Sequence, residues 1–298
     1  MLKLNVFSGP RPFRWFSSAL LAACIALPAT VSAGQAGDEG RGEILSVVGL
    51  TQDGRLVSFK TNAPGRSKEL SFVSGFVGAD TELIGIDYSV QNGLLYGVGN
   101  KGGVYTLDPS SGQLNLVTRL TVRLNGNAFG VDFNPAADAL RVVSNRGQNL
   151  RHPFSGPTMF QTAVDGTLTY PATATTPEIT ARGITGSAYT NNDLDATTAT
   201  TLFGIDTVLD QVVIQSPANA GLVQATGSLG VTAGQWAGFD NYSEIQDGQT
   251  QFIRGFASLL RMGGREPALY EIELLTGKAT SLGRFNAMVV DIAIPLDQ

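Results

Sequence analysis

Apolar and polar positions alternate with a period of two over short stretches along most of the chain, and glycine, proline, asparagine or aspartate separates the stretches. That pattern predicts short β-strands joined by tight turns. Within it a four-residue unit recurs, glycine, apolar, aspartate, apolar. It appears as Gly85-Ile86-Asp87-Tyr88, as Gly130-Val131-Asp132-Phe133 and, ending in asparagine, as Gly238-Phe239-Asp240-Asn241. Gly186-Ser187-Ala188-Tyr189 is a weaker copy, and Val289-Val290-Asp291-Ile292 keeps the aspartate without the glycine. Successive third positions are 45, 56, 52 and 51 residues apart. A four-stranded propeller blade needs about 40 to 50 residues, so the spacing predicts one blade per repeat.

The contents of each repeat agree. A second apolar strand follows the unit, at Leu95–Val98, Leu140–Val143, Leu202–Ile205 and Phe252–Gly255. Two further strands then form a hairpin, and the hairpin entered at Tyr105 and turning at Gly112 aligns without a gap with the one entered at Tyr270 and turning at Gly277. The first repeat has three strands of its own, near Ile44–Leu50, Arg55–Thr61 and Glu69–Val73, and the unit at Val289–Ile294 is left over. The expected fold is therefore all-β, a five-bladed β-propeller closed by the C-terminal strand pairing into the first blade. Closure leaves only short sheet edges open to aggregation. A β-sandwich or irregular barrel is the competing architecture.

The run Gly130-Val131-Asp132-Phe133-Asn134-Pro135, with Leu140–Asn145 and Gly147–Arg151 after it, resembles the signature of an uncharacterised bacterial family, domain of unknown function 4394. Similar runs continue through Asp165–Leu168, Ala188–Asn192, Thr201–Asp206 and Gly227–Val231, so the resemblance covers about 44–294. It implies a secreted, propeller-like protein. No activity and no catalytic residue come with it.

Composition changes the picture at the N-terminus. Lys3, Arg11 and Arg14 precede an apolar run from Trp15 to Val31, and Val31-Ser32-Ala33 supplies small residues for a signal peptidase. Residues 1–33 therefore read as a signal peptide, 34–43 as a flexible N-terminus and 44–298 as one propeller domain. Pro28 interrupts the apolar run, which is too short to favour a membrane span, and no later segment approaches 18 consecutive apolar residues. The expected location is periplasmic or extracellular. Leu21-Ala22-Ala23-Cys24 also reads as a lipoprotein box, although an apolar stretch follows it where a polar tether is usual.

Cys24 is the sole cysteine, so cleavage after Ala33 leaves no disulfide, thiolate nucleophile or zinc–thiolate site. It also leaves 17 basic against 25 acidic residues, a net charge of −8 that argues against nucleic-acid partners. The 36 glycines in 298 residues exceed the usual ~7% and fit a turn-rich fold.

Candidate chemistry is sparse. Placed on the innermost strands, Asp87, Asp132, Asp240 and Asp291 come to equivalent positions around the axis, with Ala188 in the fifth place. Such carboxylates repel one another unless a cation, protons or hydrogen bonds neutralise them. Calcium, with its six to eight oxygen ligands, is the candidate cofactor, and Asn134 and Asn241 lie close in sequence. The alternative is that each aspartate accepts backbone N–H groups of the neighbouring blade, and the residue pattern favours that reading. Arg141, Arg146, Gln148, Asn149 and Arg151 form a second cluster, suited to an anionic or sugar-like ligand through planar donors. Strand edges and blade pairing explain the same residues.

Other motifs read as structure. Asn191-Asn192-Asp193-Leu194-Asp195 has ligand types at alternate positions, yet Ala196 and Leu202 stand where a calcium loop needs glycine and glutamate. Gly97-x-Gly99-x-x-Gly102 matches a dinucleotide fingerprint, but a strand follows it where a helix is needed. His152, the only histidine, precedes Pro153 and reads as a surface residue, and no G-x-S-x-G elbow accompanies it. Two functions stay open: an exported, non-catalytic module for a protein, glycan or small molecule, and a calcium-assisted hydrolase or lyase with its metal on the axis.

Overall fold

The computed structural model describes residues 42–296. The expected signal peptide, the candidate lipoprotein box at Cys24 and most of the expected flexible N-terminus fall outside them.

Four-stranded antiparallel sheets follow one another along the chain. Blade one takes β1 (Ser46–Thr51), β2 (Arg55–Lys60) and β3 (Lys68–Phe72). Blade two holds β4 (Leu83–Tyr88), β5 (Leu95–Gly99), β6 (Gly103–Leu107) and β7 (Leu114–Arg119). Blade three holds β8 (Phe129–Asn134), β9 (Ala139–Ser144), β10 (Asn149–Pro153) and a two-residue outer strand β11 (Ala163–Val164). A small hairpin of β12 (Thr169–Tyr170) and β13 (Ile179–Thr180) comes next and accounts for the longest repeat spacing. Blade four holds β14 (Ile184–Tyr189), β15 (Leu202–Asp206), β16 (Gln211–Gln215) and β17 (Val223–Ser228). Blade five holds β18 (Ala233–Gln246), β19 (Gln249–Arg261), β20 (Ala268–Ile272) and β21 (Ala279–Arg284).

The last strand, β22 (Val289–Ala293), returns to pair antiparallel with β1 as the innermost strand of blade one, Val48 opposite Ala293 and Leu50 opposite Asp291. The protein is a five-bladed β-propeller whose ends meet in one sheet, with no α-helix among the described residues. None of their helical turns is long and apolar enough to cross a membrane.

Strand alternation builds the core. On β1, Val47 joins Phe59, Phe256 and Phe285 between blades one and five, while Val48 and Leu50 join Ile86 and Tyr105 between blades one and two. Each sheet thus buries both faces against its neighbours, giving one apolar layer at each of five junctions. Two aligned hairpin turns close in the same way. Gly112 and Gly277 adopt φ of 71° and 77°, and their N–H groups donate to Asp108 O and Glu273 O, 2.8 Å in both cases. Left-handed backbone of this kind is open to glycine at little steric cost.

Candidate functional site

Each blade pairs its innermost strand on one side only, so the axial edge of that strand is left with unpaired amides, and buried amides need partners. The recurring aspartates supply them. Asp291 Oδ2 accepts Ile86 N–H at 2.8 Å, Asp87 Oδ2 accepts Phe133 N–H at 2.7 Å, Asp132 Oδ1 accepts Tyr189 N–H at 3.0 Å, and Asp240 Oδ2 accepts Ile294 N–H at 2.6 Å. In every case the donor lies on the next blade round. Blade four has Ala188 in place of an aspartate. There Asn241 Nδ2 donates back to Ala188 O and Tyr189 O, at 3.3 and 3.1 Å, and bridges the fifth junction.

The glycine of the unit has a packing reason. A Cβ on Gly130 would stand 2.7 Å from Ser187 N, and one on Gly85 would stand 2.6 Å from a Val131 methyl, so neighbouring inner strands approach too closely for a side chain.

The four carboxylates do not share one level, contrary to the expectation of equivalent places. Asp87, Asp132 and Asp240 bring ligand oxygens within 4.8 Å of one another. Asp291 sits two residues further up, beside Gly85 and Gly238; its Oδ2 is 3.1 Å from the Cβ position of Gly85. The pairing with β1 sets the register of β22, and the room left by the two glycines receives the displaced side chain. At about 3.3 Å per residue the offset is about 6–7 Å along the strand.

Burial dominates the electrostatics. It pushes the carboxyls of Asp87, Asp132 and Asp291 well above the usual range, and neighbouring aspartates add to the rise. Burial raises Asp240 to about 7 against two stabilising amide bonds. Both oxygens of Asp87 and of Asp240 accept a backbone N–H, from Tyr88 and Phe133 and from Asn241 and Ile294. A calcium ion needs six to eight oxygens, and this triad offers three carboxylates already engaged by amides. The residues therefore fit blade locking in full and a cation in part.

The arginine cluster is dispersed. Arg141 is 1% exposed. Its guanidinium donates to Asp165 Oδ2, Asn149 Oδ1 and Asn219 Oδ1, each at 2.7 Å, and to the Tyr189 hydroxyl at 3.2 Å. Asn149 Nδ2 donates to Gly166 O and Ala218 O, and Arg151 pairs with Asp165. Arg141 and Asn149 tie blade three to blade four inside the protein through these hydrogen bonds, while the partly exposed Arg151 pairs with Asp165, just after β11 of its own blade. Gln148 is held instead by Arg123 O and Asn125 N–H, and Arg146 is exposed on the turn between β9 and β10. The five side chains do not converge on one ligand.

His152 is fully buried, not on the surface as the adjacent proline suggested. It lies in β10, between Thr162 and Thr118 hydroxyls and against the rings of Phe154 and Phe160, and burial lowers its pKa to about 4. In the loop after β14, Asp193 accepts Thr250 N–H and hydroxyl, and Asp195 accepts Thr197 and Gln249. The loop is thereby pinned to the long β18–β19 hairpin. Gly97 and Gly99 lie in β5 and Gly102 in the turn between β5 and β6, where Lys101 N–H and Gly103 N–H donate to the buried Asp80.

A cavity that none of the sequence motifs marks opens at one end of the axis. It occupies the face where the inner strands begin, with a volume of about 1170 Å³ and walls from all five blades. Ile84, Phe129, Thr185 and Ala237, each immediately before a motif glycine, line it together with Val290. Val290 stands one residue before Asp291, as the offset of β22 requires. The position preceding each glycine was the available signal. Segments leading into the inner strands and turns between the second and third strands of the blades supply the rest, the turns giving Gln52, Asn145, Val208 and Met262 among others. Trp236 also lines it, with an indole N–H that has no partner among the described residues.

Inner-strand carboxylates that cap the next blade's amides, beneath an open axial cavity, define a carboxylate-locked five-bladed propeller. Residues 55–293 match a family model, and the chain belongs to the family described as Domain of unknown function (DUF4394). No curated protein matches it. Among solved structures it resembles a structural genomics protein of unknown function from Bacteroides thetaiotaomicron, at 12% identity and a TM-score of 0.42, over 88% of this chain and 64% of that one. It also resembles auxiliary nutrient binding proteins from Bacteroides thetaiotaomicron (12% identity, TM-score 0.38) and Bacteroides ovatus (15%, 0.37). These matches cover 76% and 75% of this chain and 56% and 55% of the other two. The chain thus spans less than two thirds of each structure's length.

Proposed function

We propose that this protein is an exported, non-catalytic binding module that holds a small organic ligand in its axial cavity. The cavity carries the reading: one concave space built by all five blades, with apolar walls and scattered amide and charged groups, is the usual form of a ligand site. The axial carboxylates serve backbone amides, and the only histidine is buried away from the cavity lining. Export rests on the leader at Lys3–Ala33. The test is thermal denaturation of the protein against a panel of extracellular metabolites and oligosaccharides, repeated with Thr232→Phe/Gln235→Phe, which fills the cavity from two exposed wall positions. Ligands should raise the melting temperature of the natural protein alone. A panel with no ligand, or shifts that survive the filled cavity, would sink the reading.

The clustering of three carboxylates within 4.8 Å favours a second reading. In it a calcium ion held by Asp87, Asp132 and Asp240 polarises a lactone, an ester or a sugar carboxylate. Calorimetric titration with calcium separates the two, because a metal site predicts heat and a melting shift that Asp132→Asn abolishes.

A further inference from the structure

Every carboxylate in the cavity wall is engaged. Asp53 accepts the Thr51 hydroxyl and Arg55 Nε, Glu82 accepts Asn100, and Asp210 accepts Ala233 N–H. Two guanidiniums in the same wall are not: Arg182, just before β14, and Arg261, at the end of β19, have no side-chain partner among the described residues. Arg55 offsets Asp53, while Glu82 and Asp210 keep their charge under neutral amide donors, so the wall is near neutral overall and its unclaimed donors are the two guanidiniums. A guanidinium is a planar donor fork that matches a carboxylate with two parallel hydrogen bonds.

Size and surface narrow the class further. The volume of about 1170 Å³ exceeds the ~300–1,000 Å³ of ordinary small-molecule pockets, so one small acid would leave it mostly empty. Trp236 and Phe129 offer flat apolar faces, while Gln52, Asn127 and Gln235 offer amide donors and acceptors. Desolvating those amides against a purely apolar ligand would leave polar groups unpaired. A pyranose ring has C–H faces for the aromatic rings and hydroxyls for the amides.

We infer that the ligand is a short acidic oligosaccharide whose uronate carboxylates pair with Arg182 and Arg261. The inference rests on the cavity being the binding site. Trp236 is the only tryptophan among the described residues, so its emission reports occupancy.

The experiment titrates trimers of galacturonate, glucuronate and mannuronate, each against its neutral hexose trimer, by Trp236 fluorescence and calorimetry. At least one uronate trimer should bind ten-fold or more tightly than its neutral counterpart, and 0.5 M salt should weaken it. Arg182→Gln and Arg261→Gln, both at exposed positions, should each raise Kd at least ten-fold with unchanged melting temperatures. Equal affinity for neutral and acidic trimers, or variants within two-fold of the natural protein, would overturn the inference and leave the binding module standing. If no trimer binds, the ligand class is wrong, and the metabolite panel with the filled cavity decides separately whether the cavity binds anything.

Discussion

Replacing Asp240 by asparagine tests the account of the axis most directly. Asp240 is 3% exposed and accepts two amides, Asn241 N–H at 2.6 Å and Ile294 N–H at 2.6 Å, the second joining blade five to the closing strand. Asparagine keeps the shape but offers one carbonyl oxygen, so one N–H loses its acceptor, at about 1–3 kcal/mol whatever the pH. Ionisation supplies a second effect of opposite sign. Burial raises the carboxyl from 3.8 to about 7, so between those values the folded protein binds more protons than the unfolded chain. Stability from this group is fully present below pH 3.8 and is lost as the pH rises to about 7. At about 1.4 kcal/mol per unit the loss is about 4 kcal/mol.

Asparagine does not ionise. The stability of Asp240→Asn relative to the natural protein should therefore improve by about 4 kcal/mol between pH 4 and pH 8, from less stable to equal or better. Urea denaturation of both proteins at half-unit pH intervals measures this, and taking the difference cancels groups such as His152 that titrate in both. A difference constant to within about 1 kcal/mol across the range would refute the claim that the axial carboxylates bear the penalty of burial.

Other consequences are equally open to measurement. His152→Gln should flatten the acid limb of stability: the folded pKa is about 4 against 6.5 unfolded, so stability present above pH 6.5 is lost as the pH falls to 4, by about 3 kcal/mol in the natural protein, as read from urea midpoints. Arg141→Met leaves Asp165 buried with Arg151 alone and should cost about 3 kcal/mol, whereas Arg146→Ala on the adjoining turn should stay within about 0.5 kcal/mol by the same assay. Gly130→Ala forces a Cβ against Ser187 N and should lower stability by about 1–3 kcal/mol in thermal melts, with no change in ligand affinity.

The blade count and the closing strand were legible because the feature that repeats serves the backbone. A propeller needs a short approach and an amide acceptor at each junction, so Gly85 with Asp87 and Gly130 with Asp132 recur at the spacing of the sheets. The level of Asp291 was not legible. The pairing of Leu50 with Asp291 determines it, and no periodicity in residues 289–292 records that register. Arg141 looked like an exposed donor because its partners Asp165 and Asn219 lie 24 and 78 residues away. His152 was misjudged for a related reason: Pro153 ends β10 beyond its short pairing with β11, where a missing N–H is tolerated, and aromatic residues from 154–160 fold over the ring. The cavity draws on turns that share no residue pattern, and only the position before each glycine belonged to the repeat.

The junction between blades four and five brings the two halves of the axis together. It is the one junction without an aspartate, held on the axis by Asn241 Nδ2 at 3.1 and 3.3 Å while Asn241 Oδ1 has no partner among the described residues. Arg182 and Arg261 belong to those same two blades. An acidic ligand gripped by both guanidiniums would add a cross-blade tie where the carboxylate lock is missing, and ligand bound to the folded state alone raises its stability with concentration. Amide hydrogen exchange at 237–241 and 186–189 should therefore slow on binding more than exchange at the Asp87–Phe133 junction. Uniform slowing at all five junctions would show that the ligand stabilises the ring as a whole and does not reinforce its one unlocked seam.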